Sequence, residues 1–334
     1  MFANQESVFR SEQPMHIPDG FLDTKTAVVT GVLSATGLGT ALHNASRHIE
    51  PRQIPLMGLT AAFVFVAQMI NFPVAGGTSG HLLGATLAAV LLGPGAAVIV
   101  MSCVLIIQAL IFADGGLLAM GANVFNMGLV ATISGYGVYR LLYHWMKDRR
   151  GQLVSASVAA WCSTVIASIF CAGELALSGT IPWNLAFPAM AGIHSLIGIG
   201  EAAITMLVLA AIGNTRPELL HNRGTELSNK KQQGIFVFGT IIVLGLLIFV
   251  VPYASTLPDG LNKVAESFGF EYRASLQPVI DTPFAKYSFP GIGSPTVASI
   301  AAGMIGALAV FGFSVLLSRA LVPTKRTGTQ PPSE

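Results

Sequence analysis

The sequence predicts an all-α integral membrane protein of about nine transmembrane helices. A seven-helix core precedes a two-helix accessory unit, with the N-terminus outside and the C-terminus inside. Three observations predict this. Hydrophobic residues make up 52% of the 334 residues, charged ones only 10%, and the mean hydropathy is +0.66, whereas a soluble domain carries about 25% charge. Apolar stretches recur at lengths near the roughly 20 residues that span a bilayer. The basic residues collect on alternate loops.

Taken in order, residues 1–14 are polar and lack an apolar signal core, so they are expected to be a disordered extension or absent from the mature protein, with Met15 as an alternative start. Met15-His16-Ile17-Pro18-Asp19-Gly20 follows, a strong turn signal that fixes the backbone around His16. Nine apolar segments then run roughly over 26–43, 54–70, 80–92, 96–112, 119–143, 155–177, 188–212, 234–252 and 294–317. The third is short, and the Gly93-Pro94-Gly95 turn ties it to the fourth, which fits a broken or tilted segment. Inner loops on this count hold Arg47, Arg52, Lys147, Arg149, Arg150, Arg216, Arg223, Lys230, Lys231, Arg319, Lys325 and Arg326; the outer parts hold only Arg10, Lys25, Lys263, Arg273 and Lys286. That bias obeys the positive-inside rule. The resulting organisation is an extension 1–14, a membrane domain 15–213, an inner linker 214–233, a second unit 234–321 with an outer loop 253–293, and a disordered inner tail 322–334.

Composition excludes several functions. A net charge of +2 is too small and scattered for a nucleic-acid partner. Cys103, Cys162 and Cys171 lie in apolar segments without paired spacing, and read as structural thiols. Phosphate-binding loop, nucleophile elbow and His-Glu-x-x-His patterns are all absent, so no hydrolytic enzyme is expected.

Polar side chains inside apolar spans are costly and mark candidate sites. The first cluster is Asn71 to His81, including Ser79, where His81 is expected to open the third helix. The second comprises Asp114, Asn123 and Asn126, the two asparagines sharing a helix face and either orienting a ligand's imidazole or joining helices. The third is His194 with Glu201 seven residues on, beside Glu174, read as a structural tie, a relay or a ligand pair. The polar clusters lie mainly on the outer side, which points to capture of a small solute or ion. Imidazole favours Ni, Co, Cu and Zn. If Met15 begins the chain, its amine, the His16 backbone nitrogen and the His16 ring form a compact chelate, with His81 as a fourth nitrogen suited to Ni(II), Cu(II) or Co(II). Two other classes use the same residues: an intramembrane enzyme with His194, Glu174 and Glu201, and a proton-coupled secondary carrier with Glu174 and Glu201.

The stretches Met15 to Leu22, Gly77 to Gly84, Ala113 to Gly116 with Gly121-Ala122-Asn123, and His194 with Gly200 to Thr205 resemble the CbiM/NikM family across about 15–213. Its members are substrate-specific components of energy-coupling factor (ECF) transporters for cobalt or nickel. Residues 234–321, with Pro258-Asp259-Gly260-Leu261 and Phe289-Pro290-Gly291, are similar to the fused PDGLE domain, related to the CbiN/NikN accessory subunit. Asn262 stands where that domain's name has Glu, a change expected to be tolerated on a solvated helix. The resemblance implies metal binding by Met15, His16 and His81; Asn71, Ser79, Asp114, Asn123, Asn126, His194 and Glu201, read from the polar clusters, are expected to support them. If residues 1–14 remain attached, the Met15 amine becomes an amide and one ligand is lost. It also implies transported Co(II) or Ni(II) and no permanent cofactor. Cobalt would link the chain to cobalamin synthesis. The implied partners are an ECF transmembrane coupling protein and cytoplasmic ATPase subunits, in a bacterial or archaeal inner membrane.

Overall fold

The computed structural model describes residues 16–49, 53–221, 229–275 and 279–321. The extension with Met15, the middle of the linker and the tail from 322 lie outside the described residues.

Each predicted apolar segment contains a helix. α1 (Thr24–His48) starts where the Asp23 carboxylate accepts the Thr26 N–H at 2.9 Å, a side-chain cap. Its Val28, Val29, Val32 and Leu33 are exposed, as suits a surface that meets lipid rather than water. α2 (Ile54–Gln68) carries Pro55 in its first turn and is largely buried. α3 (Ala85–Leu92) is only eight residues, ended by Gly93 at φ +89, and α4 (Pro94–Phe112) follows at once. α5 runs through Met120–Asn123, a π-helical stretch Val124–Val130, and Ala131–Trp145. α6 (Arg149–Leu177) is capped by Asp148, and α7 (Trp183–Thr215) contains Pro188. A short α8 (Glu218–His221) precedes α9 (Asn229–Phe249), α10 (Gly260–Phe268) and α11 (Pro295–Leu321).

Among the described residues, five stretches are long and apolar enough to cross a membrane: Pro94–Phe112, Arg149–Leu177, Trp183–Thr215, Gln232–Tyr253 and Pro295–Ala320. The chain is thus a multi-pass, predominantly helical membrane protein. α2 is apolar but shorter, at 15 residues. Cys103, Cys162 and Cys171 are free thiols, as expected.

Three readings of the sequence need correction. His81 does not open a helix. A two-stranded antiparallel hairpin, β1 (Phe72–Val74) with β2 (Thr78–Gly80), stands before it, and residues 81–84 have no regular secondary structure, ending at Gly84 with φ +78. The physical reason lies on α7, where the Glu201 carboxylate accepts the backbone N–H groups of Leu83 (2.6 Å) and Gly84 (2.9 Å). Secondly, Asn262 is not on a solvated face. It is 4% exposed, and its N–H donates to the capping Asp259 carboxylate at 2.7 Å. Thirdly, the helix carrying Asn123 and Asn126 is not α-helical throughout, because a π-helical stretch begins between them; both asparagines nonetheless line one cavity.

Helices alternate in direction, so the start of α1, the end of α2, the end of α4, the start of α5, the end of α6 and the start of α7 gather at one end. The accessory unit packs against the core there and along its side. α11 lies along α2, where Gly58 is met by Phe311 and Val315 and Gly306 by Phe65. The loop between α9 and α11 covers the gathered ends.

Candidate metal centre

The segment after Met15 is fixed by the α4–α5 loop. Asn123 holds Ile17 from both sides: its Oδ1 accepts the Ile17 N–H at 3.0 Å and its Nδ2 donates to the Ile17 carbonyl at 3.1 Å. Asp19 accepts the N–H groups of Leu117, Leu118 and Ala119 at the entrance to α5, satisfying donors that a helix start leaves open. Gly115 (φ +92) leaves no space for a side chain against His16 and Asn123. His16 is thereby held at 4% exposure, its ring edge to face with His81 and the ring centres 5.5 Å apart.

The two ring nitrogens of His16 differ. Nδ1 lies 3.3 Å from both the Asp114 carbonyl and its carboxylate Oδ1. Nε2 is buried and without a hydrogen-bond partner. The His16 residue lines a cavity of about 90 Å3 together with His81, Asn123, Asn126, His194 and Asp259. The His81 Nδ1 sits 3.2 Å from the Leu82 carbonyl. The π-helical stretch of α5 turns Asn126 inward, where its Nδ2 donates to Glu174 at 2.7 Å. That bond ties α5 to α6.

Electrostatics follow from this packing. Burial opposes a charge on His16, but the Asp114 charge and hydrogen bonds outweigh it and raise the His16 pKa above its ordinary value. Burial likewise opposes the Asp114 charge, yet the charge of His16 and the bonds from His16 and Tyr287 hold its carboxyl at about 2. Asp259 is pushed up to about 7, chiefly by burial.

The structure brings His16, His81, Asp114, Asn123, Asn126 and His194 together and assigns other work to the rest. His194 Nδ1 is 2.8 Å from the Met190 carbonyl, and Glu201 holds the irregular segment after His81; no hydrogen bond or ion pair joins the two. Glu201 and Glu174 therefore act as ties. Ser79 donates to the carbonyls of Leu257 and Pro258, with Thr78 joining at Pro258. The hairpin before His81 is thus stapled to the accessory loop. Asn71 faces a larger cavity of about 620 Å3 with Asp19, Asp114, Asp259 and Tyr287, and its carbonyl accepts from Ser255 N–H. Among the described residues no three His, Cys, Asp or Glu side chains are arranged to hold an ion by themselves. Met15 lies outside the described residues.

Sequence reasoning missed Asp259 as a wall of the His16 cavity and Tyr287 as a partner of Asp114. The Pro258-Asp259-Gly260 echo of Pro18-Asp19-Gly20 was the available signal for the first. Gly260 is needed there, since a side chain would meet His194 at 2.8 Å and Ile197 at 2.7 Å.

Residues 16–219 match the family described as cobalt uptake substrate-specific transmembrane region, CbiM, and residues 233–322 match the PDGLE domain. An Archaeoglobus fulgidus chain named as a fused nickel transport protein, NikMN, is 34% identical over 91% of this chain and 98% of its own length. The fused nickel transport protein NikMN of Rhodobacter capsulatus is 33% identical over 69% of this chain and 71% of its own. The crystal structure of a transition metal transporter is 36% identical with a TM-score of 0.56, covering 63% of this chain and all of that one. With the family match spanning most of the chain and its site motifs gathered at one end of the helices, this protein belongs to the CbiM/NikM family and carries a fused PDGLE domain.

Proposed function

We propose that the chain is the substrate-capture membrane component of an ECF-type transporter that imports Co(II) or Ni(II), without hydrolysing ATP itself. The observation that carries this reading is the pair of imidazoles. His16 and His81, from segments far apart in sequence, face each other 5.5 Å between ring centres at a small buried cavity. That spacing suits one ion about 2 Å from a nitrogen of each ring. His16 has a carboxylate behind its other nitrogen, the arrangement that orients metal-binding histidines. Nitrogen ligands favour Ni(II), Cu(II) and Co(II) over Mg(II) and Ca(II). The names of the relatives, which include nickel and cobalt transport proteins, support the same choice.

In this reading nine segments traverse the membrane, N-out and C-in, with α3 and residues 81–84 forming the third. The alternation of basic loops supports that count. The metal site opens outward in a bacterial or archaeal inner membrane. Release inside is driven by a coupling protein with ATPase subunits, which dock on inner loops such as 144–154. Exposed Lys147, Arg149 and Arg150 are available there. Cobalt taken up this way serves cobalamin synthesis. Uptake of labelled nickel and cobalt by cells expressing the chain tests the assignment. Deleting the coupling ATPase is expected to remove most uptake; uptake driven equally by a pH gradient without it would contradict an ECF component.

A further inference from the structure

We infer that Asp259, in the accessory loop, is the residue through which the metal ion reaches its centre, taking it from the larger cavity and passing it on toward His16 and His81. The inference rests on the proposed function and leaves the final ligand set as it stands there. Two cavities lie at the gathered helix ends. The smaller, about 90 Å3, is lined by His16 and His81; the larger, about 620 Å3, lies between the accessory loop and the ends of α2 and α4. Among the described residues their linings share one, Asp259. The larger cavity meets the outside, since Leu257, Val279 and Ile280 in its wall are exposed. Its wall also carries the carboxylates of Asp19, Asp114 and Glu266 against a single cationic side chain, Lys286. A cleft with that excess of negative charge draws cations in. An ion drawn there meets Asp259 at the wall common to both spaces.

The position of Asp259 is itself built. The preceding Pro258 carbonyl accepts the Ser79 N–H at 2.8 Å and the Thr78 hydroxyl at 3.0 Å, and the Leu257 carbonyl accepts the Ser79 hydroxyl at 2.7 Å. The following Gly260 lies against His194 and Ile197 of α7. The turn is thus bonded to the hairpin that leads to His81, and Asp259 is only 5% exposed. Its carboxylate caps α10 through the Asn262 N–H, but capping does not call for a charge, because asparagine and serine cap a helix as well. Burying a carboxylate costs stability, and that cost is explained if the charge serves the ion. A carboxylate can replace one water on a divalent ion that still faces the larger cavity, then yield it to the nitrogen donors that Ni(II) and Co(II) favour. A group that meets the ion only in passage lowers the barrier in both directions and leaves the affinity nearly unchanged.

The test uses the full chain in detergent, stripped of metal and mixed rapidly with Ni(II). A chelator chase gives the dissociation rate and a titration the affinity. Asp259→Asn keeps the cap and removes the charge. It is expected to slow Ni(II) association about tenfold. Dissociation should slow by a similar factor, leaving the affinity within about threefold of wild type. Because the carboxylate is buried, the deficit should persist in about 1 M salt, where exposed charges are screened. Asp259→Ser, a second uncharged cap, is expected to behave alike and serves if the asparagine variant does not fold. Association at the wild-type rate in a folded variant would overturn the inference. Faster dissociation with unchanged association would make Asp259 a support of the bound ion and overturn its role in passage. A deficit that vanishes in high salt would reduce that role to remote attraction and overturn it as well. A wild-type chain that binds neither Ni(II) nor Co(II) would instead overturn the proposed function beneath it.

Discussion

The rings of His16 and His81 meet edge to face with their centres 5.5 Å apart, although neither is held by the other. His16 is held by Asn123, Gly115 and Asp114; His81 is held by the hairpin, by Leu82 and, through Leu83 and Gly84, by Glu201. The accessory loop braces both sides, at Pro258 and at Tyr287. The meeting of the two imidazoles is therefore the sum of several independent ties, and each tie makes a separate prediction.

Glu201 is the tie with the largest reach. It is fully buried, and both of its oxygens accept backbone donors. Glu201→Gln replaces an acceptor by a donor that points at an N–H, leaving a buried group unpaired at about 1–3 kcal/mol. The variant is expected to melt lower in detergent and to bind Ni(II) more weakly, since His81 lies just ahead of the loosened segment. Wild-type melting and affinity would show that Glu201 does not fix this segment.

Gly20 controls docking of the accessory loop onto the first turn. It has φ +97, and a Cβ there would stand 2.0 Å from the Arg273 carbonyl oxygen. The neighbouring bond, Ser275 N–H to the Asp19 carbonyl at 2.7 Å, completes the seam. Gly20→Ala is expected to cost about 2 kcal/mol or more from strain and clash together. Limited proteolysis of the accessory loop checks it: faster cleavage in the variant is expected, and an unchanged rate would contradict the seam.

Asp259 caps α10 yet is buried, with its pKa raised to about 7. A carboxyl raised on folding contributes a penalty that is absent below its unfolded value and grows as pH rises toward the folded one. Asp259→Asn keeps a good cap and removes the charge. The variant should gain stability relative to wild type between pH 4.5 and pH 8, while Asp259→Ala should lose about 1 kcal/mol at the low end through the cap. Melting curves at both pH values decide this; a wild-type-minus-Asn difference independent of pH would show that the charge carries no such penalty.

Metal binding should carry the signature of His16. Its pKa is raised by Asp114 against the effect of burial. A second proton on the ring competes with the ion, so affinity is full above the raised value and falls about tenfold per pH unit below it. Asp114→Asn removes the cause of the rise and should move the fall to lower pH. Ni(II) affinity constant from pH 8 to pH 6 would exclude His16 as a ligand.

Much of the fold was legible because bilayer physics is one-dimensional: a segment either carries about 20 apolar residues or does not. All nine segments contain helices, including 234–252 and 294–317. Legibility failed where tertiary bonds override local pattern. Residues 81–84 read as the start of a helix, and the buried Glu201, more than a hundred residues away, holds them out of one. Asn262 read as solvated because its helix looked like part of a long outer loop, yet that loop folds back over the core. At the site, His16, His81, Asp114, Asn123 and Asn126 were visible as expensive polar residues near apolar spans. Tyr287 was not, because a tyrosine in a polar loop carries no periodicity; its role exists only through contact with Phe112 and Asp114.

The central claim is that His16 and His81 together hold a transition-metal ion, and titration of His81→Ala tests it most directly. His81 is half-buried and its Nδ1 faces only the adjacent Leu82 carbonyl, so its removal should leave folding intact. Purified His81→Ala, melting as wild type does, is expected to retain neither Ni(II) nor Co(II). Undiminished binding of both ions by that variant would remove His81 from the site and contradict the account.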